Sequence, residues 1–304
     1  MKAKKENIKF KKSDTIWGYL FILAPVLSVL LFVFLPAILS VHVSTIEWNG
    51  FVSIGQATPV GFDNFAKFLS SGGIFTSRFW NALLVTISLL LFVPFNIIIA
   101  FLLAYALNAK TTKLKRTLRL AYFLPFVSSS VAITLVFKNL FEVNGVVNSF
   151  LSIFGVTDIN WLRSPALARV VIIVMLVWRN IGYTMLMYLA GLQGISEEQY
   201  EAARLDGAGV LQTITKITLP SLTNITFFLV VTNVISGLQI FTEPAILFQS
   251  TSGRGPMNGT ESLMVFLMQA FQNNDLGMAS AISWVITILV LLATFIQFVV
   301  KKEE

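Results

Sequence analysis

The stretch EAARLDGAGVLQTITKITLP, residues 201 to 220, places Glu201, Arg204, Asp206 and Lys216 between two long apolar runs. Its polarity has meaning only against the rest of the chain. The 304 residues are 56% hydrophobic and 12% charged, with a mean hydropathy of +0.78, outside the balance of water-soluble domains. The chain belongs in a bilayer, and the stretch is a connector between two spans.

Outward from that connector, six apolar segments are long enough to cross ~30 Å of hydrocarbon at about 1.5 Å per residue. They cover roughly 17–40, 80–107, 117–140, 168–191, 219–240 and 279–300. The expected fold is an all-α membrane protein of six transmembrane helices. It comprises a basic tail (1–16), one helical domain (17–300) carrying a cytoplasmic loop at 194–220, and a short tail (301–304). Lys and Arg crowd one side: six lysines before residue 17, then Lys110, Lys113, Lys115, Arg116, Arg119, Arg204, Lys216, Lys301 and Lys302. The opposite connectors hold or border only Lys67, Arg78, Lys138, Arg163, Arg169 and Arg254. Cations mark the cytoplasmic side, so both termini and the 201–220 connector are expected there. The formal charge of +7 is thus a topology signal. No basic stripe with interleaved aromatics is present, and nucleic acid is not expected as a partner.

The connector has readable local structure. Ser196 begins an S-x-x-Q pattern with Gln199, a capping box that starts a helix, and Glu197 and Glu198 suit its positive end. That helix is expected to end near Leu205, where Gly207 and Gly209 supply backbone freedom. A second short helix, 210–216, leads to Pro220 at the start of the fifth span. Ala202 and Ala203 form a smooth patch flanked by Glu201 and Asp206. Two readings fit, a docking surface or a solvated connector.

Chemistry is sparse elsewhere. There is no Cys, and His42 is the single His, which excludes disulfides, thiol redox centres and Cys/His metal sites. No G-x-x-x-x-G-K-[ST] phosphate loop occurs, so no nucleotide site or other cofactor is expected on this chain. Most of the 15 acids lie in tails and connectors. That argues against an intramembrane enzyme and against an ion-coupled secondary carrier, the alternative reading.

In the fourth span, VWRNIGYTM (177–185) buries Arg179 at depth, with Asn180 beside it and Tyr183 one turn on. Arg179 either serves a solute pocket or meets a carboxylate or backbone carbonyls of another subunit. TNVISGLQIF (232–241) adds Asn233 and Gly237 one turn apart, with Ser236 and Gln239, and helix packing accounts for an Asn and a small residue at that spacing. Asn96 and Ser128 to Ser130 are expected to pack helices or bond backbone.

The spacing E-A-A, three residues, G, nine residues, I-x-L-P fits Glu201, Ala202, Ala203, Gly207, Ile217, Leu219 and Pro220. It resembles the cytoplasmic loop of permease subunits of binding-protein-dependent ABC importers. YFLPFVSSSVA (122–132), LAGLQGISEEQYEAA (189–203) and the GP…NGTES loop look like the sugar permeases of the maltose and glycerol-3-phosphate group. The resemblance spans roughly 17–300 and implies a MetI-like permease fold with no catalytic residue. It further implies coupling through the 201–220 loop to a cytoplasmic ATPase dimer that holds ATP and Mg, a second permease, an extracytoplasmic solute-binding protein and a sugar solute. The setting it implies is the cytoplasmic membrane of a prokaryote. By the same resemblance, solute contacts fall around Tyr183 and on the middle of the fifth span, where this sequence has Asn233, Ser236, Gly237 and Gln239. The long extracytoplasmic domain of the maltose type is absent, so maltose itself is not implied.

Overall fold

A computed structural model describes residues 12–70, 72–109 and 114–303. Most of the basic tail, together with Lys110 and Lys113, lies outside the described residues. Among the described residues five helices are long and apolar enough to span a membrane, and a bent pair brings the number to six if it counts as one span. The first span is Trp17–Ser44, the second Ile74–Asn108, the fourth Pro165–Gln193, the fifth Thr223–Leu247 and the sixth Leu276–Lys301.

Proline explains most of the irregularities. In the first span a wider turn, Leu30–Phe34, precedes Pro36, and Leu35 N–H donates to Leu30 O. The fifth span is entered the same way: Ile214–Thr218 precedes Pro220, and Leu219 N–H donates to Ile214 O. A proline has no N–H and its ring crowds the carbonyl four residues back, so the helix loosens by one residue ahead of it. Pro94 likewise leaves Leu90 O without its ordinary donor, and the second span is interrupted at Leu90 and Leu91, between Ile74–Leu89 and Phe92–Asn108.

The third span departs from the expected straight helix over 117–140. It is two helices, Lys115–Val127 and Ser130–Leu140, bent by 98°. Pro125 weakens the last turn of the first helix, and Ser128 and Ser129 are extended (ψ 154° and 126°). The three serines therefore form a joint. Ser128 Oγ donates to Leu124 O at 2.9 Å and Thr134 Oγ1 donates to Ser130 O at 2.7 Å.

On the face expected to be external, Ile46–Glu47 pairs antiparallel with Thr58–Pro59. The expected amphipathic helix follows as Asp63–Leu69. Asn64 is fully buried and its Nδ2 donates to the carbonyls of Ser44 and Ile46 at 3.0 and 2.9 Å. This locks the surface helix to the end of the first span.

Three buried clusters hold the spans together. Leu89, Phe92, Ile133, Phe137, Val171 and Met175 join spans two, three and four. Phe68, Phe79, Phe266 and Ile282 tie the surface helix and the start of span two to Leu263–Gln272 and span six. Phe101, Met185, Tyr188, Leu222 and Leu229 pack spans two, four and five near the polar connector. Outward, Phe21 and Phe32 are each 78% exposed, as expected for side chains solvated by lipid.

Candidate functional site

The connector folds as helix, bend, helix. The first helix is Glu197–Leu205, as the sequence implies. Ser196 precedes it, but its side chain makes no capping bond, so the expected capping box with Gln199 does not form. The helix is closed at its other end instead: Ala208 N–H donates to Ala203 O at 2.9 Å and Gly207 N–H to Arg204 O at 3.1 Å. Gly207 takes φ +73°, the left-handed residue that this closure requires. Gly209 has φ −72° and works differently, at the start of Val210–Thr213, where its N–H donates to Gln212 Oε1 at 3.2 Å. The second helix expected over 210–216 is thus only one turn before the wide turn over Ile214–Thr218. Tyr200 Oη and Thr218 Oγ1, 3.3 Å apart, hold the two arms together.

Between the arms lies an open groove bordered by Gln199, Ala202, Asp206, Gln212, Lys216 and Pro220. Ala203 is buried at its base, Ile217 is half-buried, and Glu201, Ala202, Asp206, Gly207, Leu219 and Pro220 are exposed. Leu205 and Leu211, 89% and 74% exposed, project beyond it. The lining includes the methyl-sized side chains of Ala202 and Ala203 and the charged groups of Asp206 and Lys216.

The second region lies at membrane depth. Arg179 is the midpoint of the 29-residue helix Pro165–Gln193, about 21 Å from either end at 1.5 Å per residue. Its Nη1 donates to Glu243 Oε1 at 2.5 Å, and the two side chains are 26% and 6% accessible. Arg179 was expected either to serve a solute pocket or to meet a carboxylate or backbone carbonyls of another subunit; its carboxylate lies in the same chain. Thr223–Leu238 ends, Gln239 to Phe241 break the helix, and Thr242–Leu247, still within the fifth span, packs against Ser130–Leu140. A lone acid in the apolar run IFTEPAILF (240–248) was the signal for it, because an uncompensated charge at that depth is costly.

The other expected pathway residues divide into two groups. Asn180 and Tyr183 are half-buried, and Ser236 and Gln239 are exposed. Asn180 Nδ2 donates to Leu176 O at 2.8 Å, and Tyr183 stacks on Phe126 with ring centroids 4.8 Å apart. Asn233 and Gly237 face the helix packing. Asn96 Nδ2 donates to Asn233 Oδ1 at 3.1 Å and to Thr184 Oγ1 at 2.9 Å, while Asn233 Nδ2 donates to Leu229 O at 2.7 Å. A Cβ on Gly237 would lie 2.5 Å from Leu90 Cδ2.

Among the described residues two carboxylates are buried, Glu243 within the fifth span and Glu261 in the connector after it. Glu243 pairs with Arg179, and the fully buried Glu261 pairs with Arg78, which also donates to Gln269 and lies over Phe266.

Five to six apolar spans with a projecting two-helix connector define a multi-pass membrane protein. Residues 69–302 match the family described as "Binding-protein-dependent transport system inner membrane component", and the chain belongs to it. The chain is a subunit of a transport system in a prokaryotic plasma membrane. It is 35% identical over 302 residues to the probable ABC transporter permease protein YesP of Bacillus subtilis (strain 168), covering 97% of this chain and 93% of that one. It is also 35% identical over 229 residues to the lactose transport system permease protein LacF of Rhizobium radiobacter, covering 74% and 77%. Among solved structures, a chain of a bacterial alginate ABC transporter in complex with an alginate pentasaccharide-bound periplasmic protein superposes with a TM-score of 0.79. The identity there is 23%, over 94% of this chain and 93% of that one.

Proposed function

We propose that the chain is one of two permease subunits of an ATP-driven importer that carries a sugar or oligosaccharide by alternating access. A separate cytoplasmic ATPase dimer, with its ATP and Mg, grips the 201–220 loop, and an extracytoplasmic binding protein delivers the solute. The observation that carries this reading is the groove at Ala202 and Ala203, a shaped polar surface standing clear of the apolar spans. No phosphate loop accompanies it in the sequence, so the motor must be another chain. The family description supports the binding protein, and the lactose-system relative supports a carbohydrate.

Solute then passes the midplane stripe of Arg179, Asn180, Tyr183, Ser236 and Gln239. A guanidinium, an amide and an aromatic ring suit hydroxyl groups and sugar faces. In proteoliposomes holding the whole complex, Ala202→Arg should fill the groove. Solute-stimulated ATP hydrolysis and uptake should fall at least tenfold while the subunit remains membrane-inserted. Unchanged uptake would refute the docking assignment.

A further inference from the structure

The Arg179–Glu243 pair is unusual in its setting rather than in its chemistry. It sits at the midpoint of a spanning helix, yet the guanidinium keeps 26% of its accessibility while the carboxylate keeps 6%. The cation is the more accessible member of the pair. Asn180, next to it in sequence, and Tyr183, one turn on, carry no charge, and neither do the exposed Ser236 and Gln239 of the fifth span. Glu243 follows a break in the fifth span, Gln239 to Phe241, and its short helix Thr242–Leu247 packs against Ser130–Leu140 of the third span.

We propose that Glu243 is a built-in counter-ion that sets the charge selectivity of the translocation pathway, keeping the stripe around Arg179 neutral so that it accepts uncharged saccharides. The inference rests on the pathway running along this stripe. A guanidinium carries five N–H donors, two of them at Nη1, and Glu243 accepts from Nη1. The rest of the fork can donate to solute hydroxyls without presenting a net charge. An anionic solute gains little, since its attraction to Arg179 is offset by repulsion from Glu243. Without Glu243 the same position becomes a site for carboxylate or phosphate groups, because a bare cation in a low-dielectric setting attracts anions strongly.

The chain has no cysteine, which allows a direct measurement of the local potential in the assembled complex. Tyr183→Cys places a thiol one turn from Arg179, and its reaction rates with an anionic (sulfonatoethyl) and a cationic (trimethylammonioethyl) methanethiosulfonate are compared. With the pair intact, the anionic-to-cationic ratio should lie within about threefold of that for a free thiol. Adding Glu243→Gln should raise it about tenfold or more, as expected for an uncompensated unit charge some 6 Å away. The double change Arg179→Gln/Glu243→Gln should return it to the starting value. An unchanged ratio in Glu243→Gln overturns the counter-ion role. Should that variant fail to assemble, a ratio differing more than threefold between the intact pair and the double change overturns it equally. Failure of both reagents to react at Tyr183→Cys and at Ser236→Cys would instead refute the pathway reading itself.

Discussion

Gly182 lets the fourth span lie directly on the backbone of Tyr122: a Cβ at this glycine would run into the Tyr122 carbonyl and approach Phe123 Cα to 2.8 Å. Both obstacles are main-chain atoms, which cannot rotate away. Close backbone approach at a small residue is a principal way helices associate where lipid removes the hydrophobic drive between them. Here it seats the helix Lys115–Val127 against the fourth span and sets the stack of Phe126 on Tyr183.

Gly182→Val should therefore separate these two helices, destabilising the subunit by about 1–3 kcal/mol or more, the range for overpacked cores. The measurement is the thermal midpoint of the detergent-solubilised complex. Gly209→Val is the control. Its Cβ meets nothing within 4 Å and its backbone is not left-handed, so the midpoint should stay within the error of the parent.

The Asn96 network gives a second test. Asn96 is fully buried and bridges Thr184 and Asn233, linking spans two, four and five at one level. Single changes Asn96→Ala and Asn233→Ala should each lower stability. Their double-mutant coupling should be about 0.6 kcal/mol and not above about 1.7, the range for hydrogen bonds between membrane helices. If Asn233 acts through packing, the two single variants should weaken uptake in parallel with their loss of stability. Loss of uptake in Asn233→Ala alone, at parental stability, would place its amide on the solute.

Much of this architecture was written in the sequence in forms that need only local physics. Span length, cation asymmetry and the helix ending at Leu205 depend on composition and nearest neighbours, and the helix end is observed where expected. The joint at Ser128 and Ser129 was signalled by Pro125 and three consecutive serines, but a hydropathy window averages over four residues and reports one uninterrupted span. The Arg179–Glu243 pair was harder to read. Its partners are 64 residues apart in sequence, and only the packing of one span against another brings them together. Asn233 was ambiguous for the same reason, since a buried amide reads alike whether its partner is solute or Asn96.

Gly207 separates backbone demand from contact demand in the connector. It has φ +73° and open space where a Cβ would stand, so a substitution meets only the left-handed backbone penalty, about 1–2 kcal/mol for most residues and less for Asn. Gly207→Asn should retain most solute-stimulated ATP hydrolysis, whereas Gly207→Val should lose most of it with membrane insertion intact. Equal loss in both would mean that the docking partner occupies the space beside this residue.

Orientation is open to direct labelling, because the chain lacks native cysteine. The loop between Thr242–Leu247 and Leu263–Gln272 is turned by positive φ at Ser252, Gly253, Gly255, Met257 and Asn258. It is anchored by the buried Arg78–Glu261 pair, and Met257 projects from it with 89% exposure. Gly259 in the same loop is unsuitable as a reporter, since its Cβ would press on Pro165. Leu205, also 89% exposed, is the matching position on the connector. With the cation-rich connectors facing the cytoplasm, Met257→Cys in intact cells should react with a membrane-impermeant maleimide. Leu205→Cys should react only after permeabilisation. The reverse pattern would place the Ala202 and Ala203 groove outside the cell, beyond reach of any cytoplasmic ATPase, and the coupling assignment would fall with it.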